Sequence, residues 1–127
     1  IKRRRAIVAQ YNAAFADLAW LQTPHVLRSE NAAHISWHLY SVQIDFATLG
    51  LSRSEAMQRL RELGVGTQVL YIPVHLQPYY RNEHGYTVGK CPNAEAYYDK
   101  ALSLPLYPKM TNAEVETVIR SVKALAL

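Results

Sequence analysis

Apolar side chains recur at helical spacing near the start of the chain. Ile7, Tyr11, Ala14, Phe15 and Leu18 are placed at three- and four-residue steps, which is the period of one face of an α-helix. This pattern predicts an amphipathic first helix of about four turns.

Two later helices are predicted by capping boxes, in which a Ser or Thr precedes a Glu by three residues. Ser52 and Glu55 stand before apolar residues at helical spacing, and Gly64 marks the end of that helix. Thr111 and Glu114 stand before the apolar stripe of a final helix. We therefore expect both helices to begin at these residues.

Segments rich in aromatic and β-branched residues predict three strands. The first covers residues 34–44, whose alternate positions are apolar on both sides, and the others cover residues 67–72 and 102–106. A short helix is predicted over residues 94–101. The elements make an α+β fold, with a small sheet of about three mainly antiparallel strands packed against helices.

Length and composition fit one globular domain. The chain has 127 residues, of which half are apolar and 19% are charged, so a single domain over residues 1–127 can bury a core. No apolar run approaches the roughly 20 residues of a membrane span, and no signal peptide is visible. A cytoplasmic protein is therefore expected. Cys91 has no cysteine partner and is interpreted as a half-buried structural thiol.

The formal charge of +4 depends on one cluster, which consists of Lys2, Arg3, Arg4 and Arg5. Such a run could contact nucleic acid or acidic lipid. A solvated helix face is the favoured interpretation, because the tyrosines lie far away in the sequence. The cluster opposes the helix dipole, no capping side chain precedes it, and the chain begins with Ile1. We therefore expect that more protein preceded this helix and that the chain is a C-terminal piece.

The candidate metal ligands are His34 and His38. Their spacing of four residues suits ligands on a helix, whereas in a strand the two side chains would be about 13 Å apart. Because the segment is predicted to be a strand, no metal site is predicted.

The chemically richest stretch is YIPVHLQPYYR, residues 71–81. Its two prolines exclude a regular central strand. They predict a turn or a single helical turn over residues 75–77, followed by a polar loop over residues 82–90.

Two interpretations of this stretch remain open. In the structural one, Tyr71 packs on the sheet and Tyr79 covers the core with its hydroxyl in water. In the functional one, the stretch is a wall of a site, because loops at strand ends commonly meet ligands. His75, Gln77 and Arg81 would then offer polar groups among aromatic walls.

The same stretch carries a family resemblance. The segments GVGTQVLYIPVHLQPYYR and CPNAEAYYDKALSLPLYPKMTNAEVETVIRSVKAL closely resemble the C-terminal part of sugar-nucleotide aminotransferases of the DegT/StrS group. The earlier segments RRRAIVAQYNAAFADL and HISWHLYSVQID fit the same region in the same order, so the resemblance covers essentially the whole chain. The form YIPVHLQPYY is most similar to the branch that aminates UDP-4-keto-6-deoxy-N-acetylhexosamines on the route to pseudaminic acid.

This resemblance implies a fold-type I enzyme, usually a homodimer, that uses pyridoxal phosphate (PLP) to transfer an amino group from glutamate to a keto-sugar nucleotide. In the family, the cofactor lysine belongs to a large N-terminal domain. None of Lys2, Lys90, Lys100, Lys109 and Lys123 stands in its context. The chain therefore resembles the small C-terminal domain alone, which is expected to bind no cofactor and to be inactive by itself.

The resemblance also implies where substrate contacts lie. In family members, the segment matching PVHLQPYY approaches the cofactor and sugar-nucleotide pocket. His75 is therefore expected to face this pocket, with Tyr71, Gln77 and Tyr79 as neighbours, and no catalytic residue is expected. Whether His75 touches substrate or supports the pocket stays open. The alternative function is a stand-alone module that binds a small ligand or a protein and is not an enzyme.

Overall fold

The computed structural model describes residues 1–26 and 35–126. Within these residues, five α-helices accompany one three-stranded sheet, which confirms the predicted α+β fold. In chain order the elements are α1 (Lys2–Phe15), β1 (Leu21–Gln22), β2 (Tyr40–Ile44), α2 (Arg53–Glu62), α3 (Pro78–His84), α4 (Pro92–Lys100), β3 (Ala101–Leu104) and α5 (Asn112–Lys123). Two 3₁₀ turns cover Val74–Leu76 and Ala124–Ala126.

The sheet is antiparallel, with β2 in its centre. Leu21 of β1 lies opposite Ile44, and Leu104 of β3 lies opposite Tyr40. Tyr40, Val42 and Ile44 are completely buried on one face of β2. They form a single core with apolar residues of α1, α2 and α5, so one face of the sheet is covered by these helices.

The strand predicted over residues 34–44 is shorter in the structure. Residue 34 lies outside the described residues, and residues 35–39 form no strand. β3 pairs with β2 only between Tyr40 and Gln43, so residues 35–39 have no paired strand within the described part of the chain. Branched and aromatic composition favours a strand only where such a neighbour exists. The short strand β1 was not predicted.

The strand predicted over residues 67–72 is wrong. The structure has only one bridge there, between Gln68 and Ser103. Continued pairing would place residue 66 opposite Pro105, which has no N–H to donate. In the other direction it would place residue 70 opposite Ala101, which directly follows helix α4.

The two predicted capping boxes are present. The Ser52 hydroxyl accepts from the Glu55 N–H at 3.2 Å, and the Glu55 carboxylate accepts from the Ser52 N–H at 2.7 Å. Thr111 and Glu114 form the same pair of bonds, also at 3.2 and 2.7 Å. Ile1 is the N-cap residue of α1 and provides no side-chain hydrogen bond, so this helix lacks a side-chain cap, as predicted.

The interpretation of the basic cluster as a solvated helix face is wrong for its three arginines, which are half-buried. Nε and Nη2 of Arg3 donate to the Met110 carbonyl at 3.0 and 2.6 Å. Arg5 Nε donates to the Ile35 carbonyl at 3.0 Å. The arginines therefore connect the start of α1 to segments that lie far away in the sequence.

The polar loop predicted over residues 82–90 begins later than expected, because α3 continues to His84. Pro78 stands at the first turn of α3, where its missing N–H costs nothing. Gly85 ends the helix in the left-handed conformation, with φ of 63°. The predicted short helix and last strand are present, with shifted ends, as α4 and β3.

No helix within residues 1–26 and 35–126 is both long and apolar enough to cross a membrane. In the same part of the chain, no three metal-ligating side chains come together. His34, one of the two candidate metal ligands, lies outside the described residues.

Candidate functional site

The stretch over residues 71–81 turns sharply where the chain leaves the sheet edge. The Leu76 N–H donates to the Pro73 carbonyl at 2.8 Å, and the Gln77 N–H donates to the Val74 carbonyl at 3.1 Å. These bonds close a single helical turn over Val74–Leu76, which is one of the two forms that the prolines allow. The backbone then enters α3 directly at Pro78.

His75 is directed inward from this turn. Its side chain is only 7% exposed. Its Nε2 atom lies 2.7 Å from Oε1 of Glu95, on the first turns of α4. The contact joins two segments that are 20 residues apart in the sequence.

Glu95 binds more than the imidazole. The Gly89 N–H donates to both carboxylate oxygens at 2.9 Å, and the Cys91 N–H donates to Oε1 at 3.2 Å. The Gly89 N–H, followed by His75 and the Cys91 N–H, holds the pKa of Glu95 below its usual range despite some desolvation. Several donors around one carboxylate favour its ionised form, so Glu95 is an anionic centre for this part of the fold.

The side chains around His75 are exposed. Tyr71 is 76% exposed, Val74 is 65% and Tyr79 is 62%. Tyr71 therefore does not pack on the sheet, and the structural interpretation of the stretch fails at this residue. Gln77 is half-buried, and its Nε2 donates to the Ile72 carbonyl at 3.3 Å. Of the four expected site residues, two are thus on the surface, one is folded back on its own turn and His75 is buried.

A group of aromatic rings follows on α3 and the next turn. The Tyr80 and Tyr86 rings are stacked with centroids 6.3 Å apart, and the His84 ring lies 5.6 Å from Tyr79 and from Tyr86. The Lys90 ammonium lies 4.7 Å from the centre of the Tyr86 ring. This packing holds the exposed Tyr79 in place. It was missed in the sequence because residues 82–84 were assigned to a loop.

Two of the open grooves on the described surface lie away from this stretch. One of about 490 Å³ is lined by α2 residues together with Thr67. The other, of about 480 Å³, lies on the polar face of the sheet and includes Ser41, Gln43 and Tyr97. None of the four expected site residues lines either groove.

The lysines are all on the surface. Lys2, Lys90, Lys100, Lys109 and Lys123 are each exposed. A lysine that forms a Schiff base with a cofactor or substrate commonly lies in a desolvated pocket. None of the five lysines lies in such a pocket within the part of the chain that the structure describes.

Comparison with known sequences gives a family match over residues 1–123, to the DegT/DnrJ/EryC1/StrS aminotransferase family. The chain is 43% identical over 123 residues to the spore coat polysaccharide biosynthesis protein SpsC of Bacillus subtilis. This alignment covers 96% of the chain and 31% of SpsC. The chain thus spans about a third of the length of this relative.

Solved structures match in the same proportion. The aminotransferase TlmJ from Streptoalloteichus hindustanus superposes with a TM-score of 0.79 at 30% identity, over 98% of this chain and 31% of TlmJ. The PLP form of Spr1654 from Streptococcus pneumoniae gives a TM-score of 0.81 at 27% identity, over 98% of this chain and 31% of Spr1654.

Proposed function

We propose a function from one premise: the chain belongs to the DegT/DnrJ/EryC1/StrS aminotransferase family. Because it spans only 31% of the relatives SpsC and TlmJ, we propose that residues 1–127 are the small C-terminal domain of a longer sugar aminotransferase. The large domain of that protein would complete the active site. This chain would contribute one wall.

One observation carries the assignment of the wall. The stretch over residues 71–79 is fixed to α4 through His75 and Glu95, while Tyr71, Val74 and Tyr79 stay largely exposed. Exposed apolar and aromatic side chains on a rigid turn are typical of a surface that contacts a ligand or another domain. The four residues expected from the resemblance, including Gln77, all belong to this stretch.

The cofactor of the full-length protein is proposed to be PLP, as in the structure of Spr1654. None of Lys2, Lys90, Lys100, Lys109 and Lys123 stands in the sequence context of the family's cofactor lysine, so this chain is not expected to supply it. The cofactor lysine would therefore lie in the large domain. The isolated chain is expected to bind no PLP and to transfer no amino group.

The proposed substrate is a UDP-linked 4-keto-6-deoxy sugar, with glutamate as the amino donor. The form YIPVHLQPYY supports the branch that uses 4-keto-6-deoxy-N-acetylhexosamines. SpsC is a spore coat polysaccharide biosynthesis protein, which is consistent with a sugar-nucleotide substrate. We further propose that the full-length protein is a cytoplasmic homodimer.

Two parallel assays test this function. The full-length protein containing this chain and the isolated 127-residue chain are each incubated with glutamate and the UDP-4-keto sugar, and amino-sugar formation is followed by mass spectrometry. We expect turnover and PLP absorbance from the full-length protein and neither from the chain. Turnover by the chain alone would contradict the fragment assignment. A full-length protein that binds a small ligand or a protein but does not transaminate would favour the non-enzymatic alternative.

A further inference from the structure

We propose that His75 and Glu95 are positioning residues, and that the sugar nucleotide is contacted by their exposed neighbours Tyr71, Val74 and Tyr79. This inference rests on the proposed function, which places the stretch over residues 71–79 at the active site. It divides the expected site residues into one group that shapes the wall and one group that touches the ligand.

The burial of His75 supports a positioning role. Residues of this chain alone leave only 7% of its side chain exposed, so a ligand lying against the outer surface reaches little of the ring. Its Nε2 atom is already engaged by Glu95 at 2.7 Å. A short contact between imidazole and an ionised carboxylate fixes the orientation of the ring.

Glu95 extends this support to a second turn. Its carboxylate accepts from the N–H groups of Gly89 and Cys91 as well as from His75. The Glu95 carboxylate therefore connects three parts of the chain, namely the turn that carries His75, the turn at Gly89 and the start of α4. Removing the carboxylate releases both turns together, whereas removing the imidazole releases only one.

The exposed group has the chemistry of a sugar-nucleotide contact. Tyr71 and Tyr79 each offer a flat ring with a hydroxyl at its edge, a combination that can stack on a sugar or a base and bond its polar groups. Their exposures of 76% and 62% leave the rings accessible. Tyr79 is also braced by Tyr80 and His84, with ring centroids 5.3 and 5.6 Å away, so it is ordered before a ligand arrives.

Kinetics of the full-length protein separate the two groups. Tyr71→Ala and Tyr79→Ala are expected to raise KM for the sugar nucleotide about tenfold. Tyr71→Ala should leave the melting temperature unchanged, whereas Tyr79→Ala should lower it slightly, because its ring packs against Tyr80 and His84. Leu63→Ala is the control, because Leu63 is a 49% exposed apolar residue at the end of α2; it should change neither quantity. Unchanged KM in both tyrosine variants would overturn the contact assignment.

The positioning pair is tested by a conservative rescue. His75→Ala and Glu95→Ala should lower the melting temperature and raise KM, with kcat within about threefold of wild type. His75→Gln keeps a donor for the carboxylate and should recover most of both losses. A kcat reduced about a hundredfold or more in His75→Gln, at unchanged melting temperature, would show chemical participation of the imidazole and overturn the proposal.

Failure of the proposed function would be recognised separately. If the wild-type full-length protein transfers no amino group, the proposed function fails, but a double-mutant cycle on its thermal stability still tests the pair. We expect His75→Ala and Glu95→Ala to be non-additive, because the two side chains share one contact. Additive losses of stability would overturn the pairing.

Discussion

At the scale of single residues, the carboxylate of Glu95 connects three segments of the chain. It accepts hydrogen bonds from Gly89, His75 and Cys91. These donors favour the ionised carboxylate and lower its pKa. Folding and ionisation of Glu95 are therefore linked.

Acid should weaken these contacts by protonating the Glu95 carboxylate. The pKa of Glu95 is lower in the folded chain than in the unfolded one, so the unfolded chain binds the proton more readily. The contribution of Glu95 to stability is complete above the ordinary range of a glutamate carboxyl and is lost as the pH falls through its lowered pKa. The free energy of unfolding can be measured in urea at several pH values. The value for Glu95→Gln should lie furthest below that of wild type near neutral pH and closest to it in acid.

The matched control for this titration is Glu116→Gln, at an exposed position of α5. This variant should follow the wild-type pH dependence throughout. The free energies of unfolding of Glu95→Gln and wild type could instead differ by the same amount at every pH. That result would mean that the hydrogen bonds do not depend on the charge of Glu95.

The sequence indicates the chemistry of this region better than its geometry. Composition alone marked the stretch over residues 71–81 as a possible site wall, and the family resemblance then selected His75, Tyr71, Gln77 and Tyr79 within it. The inward direction of His75 could not be predicted, because its partner Glu95 lies 20 residues further along the chain. Only the tertiary fold brings the two side chains together.

At the scale of elements, the best predictions are those with local causes. The capping boxes at Ser52 and Thr111 each lie within four consecutive residues, and both helices begin where these signals predict. The strand predicted over residues 67–72 failed because pairing depends on what its neighbour can donate. Local sequence does not contain that information.

The arginines of α1 give a prediction at this scale. Arg3 donates twice to the Met110 carbonyl, just before the cap of α5, and so holds the start of α1 against the start of α5. Arg3→Ala should lower the free energy of unfolding by about 1 kcal/mol, the typical net contribution of a hydrogen-bonded group. Denaturant unfolding of the 127-residue chain measures this change.

Lys2→Ala is the control for charge. Lys2 is the exposed neighbour of Arg3 on the same helix, and its loss removes the same formal charge. It should leave stability within about 0.5 kcal/mol of wild type. Equal effects of the two substitutions would mean that charge at the helix start, and not the bonds to Met110, determines the result.

At the scale of the whole molecule, the core is buried by the chain itself, whereas the candidate site is exposed on its surface. Tyr40, Val42 and Ile44 are completely buried by the chain's own residues. These core side chains therefore need no contact with another domain or a ligand. Tyr71, Val74 and Tyr79 are held on the surface by a buried anchor. The α+β class could be predicted from the order of elements. Which side chains are buried in the core and which are exposed at residues 71–79 could be learned only from the structure.

The central claim is that residues 71–79 form one wall of a sugar-nucleotide site. Amide hydrogen exchange of the full-length protein, measured with and without saturating sugar nucleotide, tests it most directly. The account predicts slower exchange in residues 71–79 on binding, with α5 (Asn112–Lys123) unchanged as an internal reference. If saturating sugar nucleotide slows amide exchange elsewhere in the protein but not in residues 71–79, the claim is contradicted.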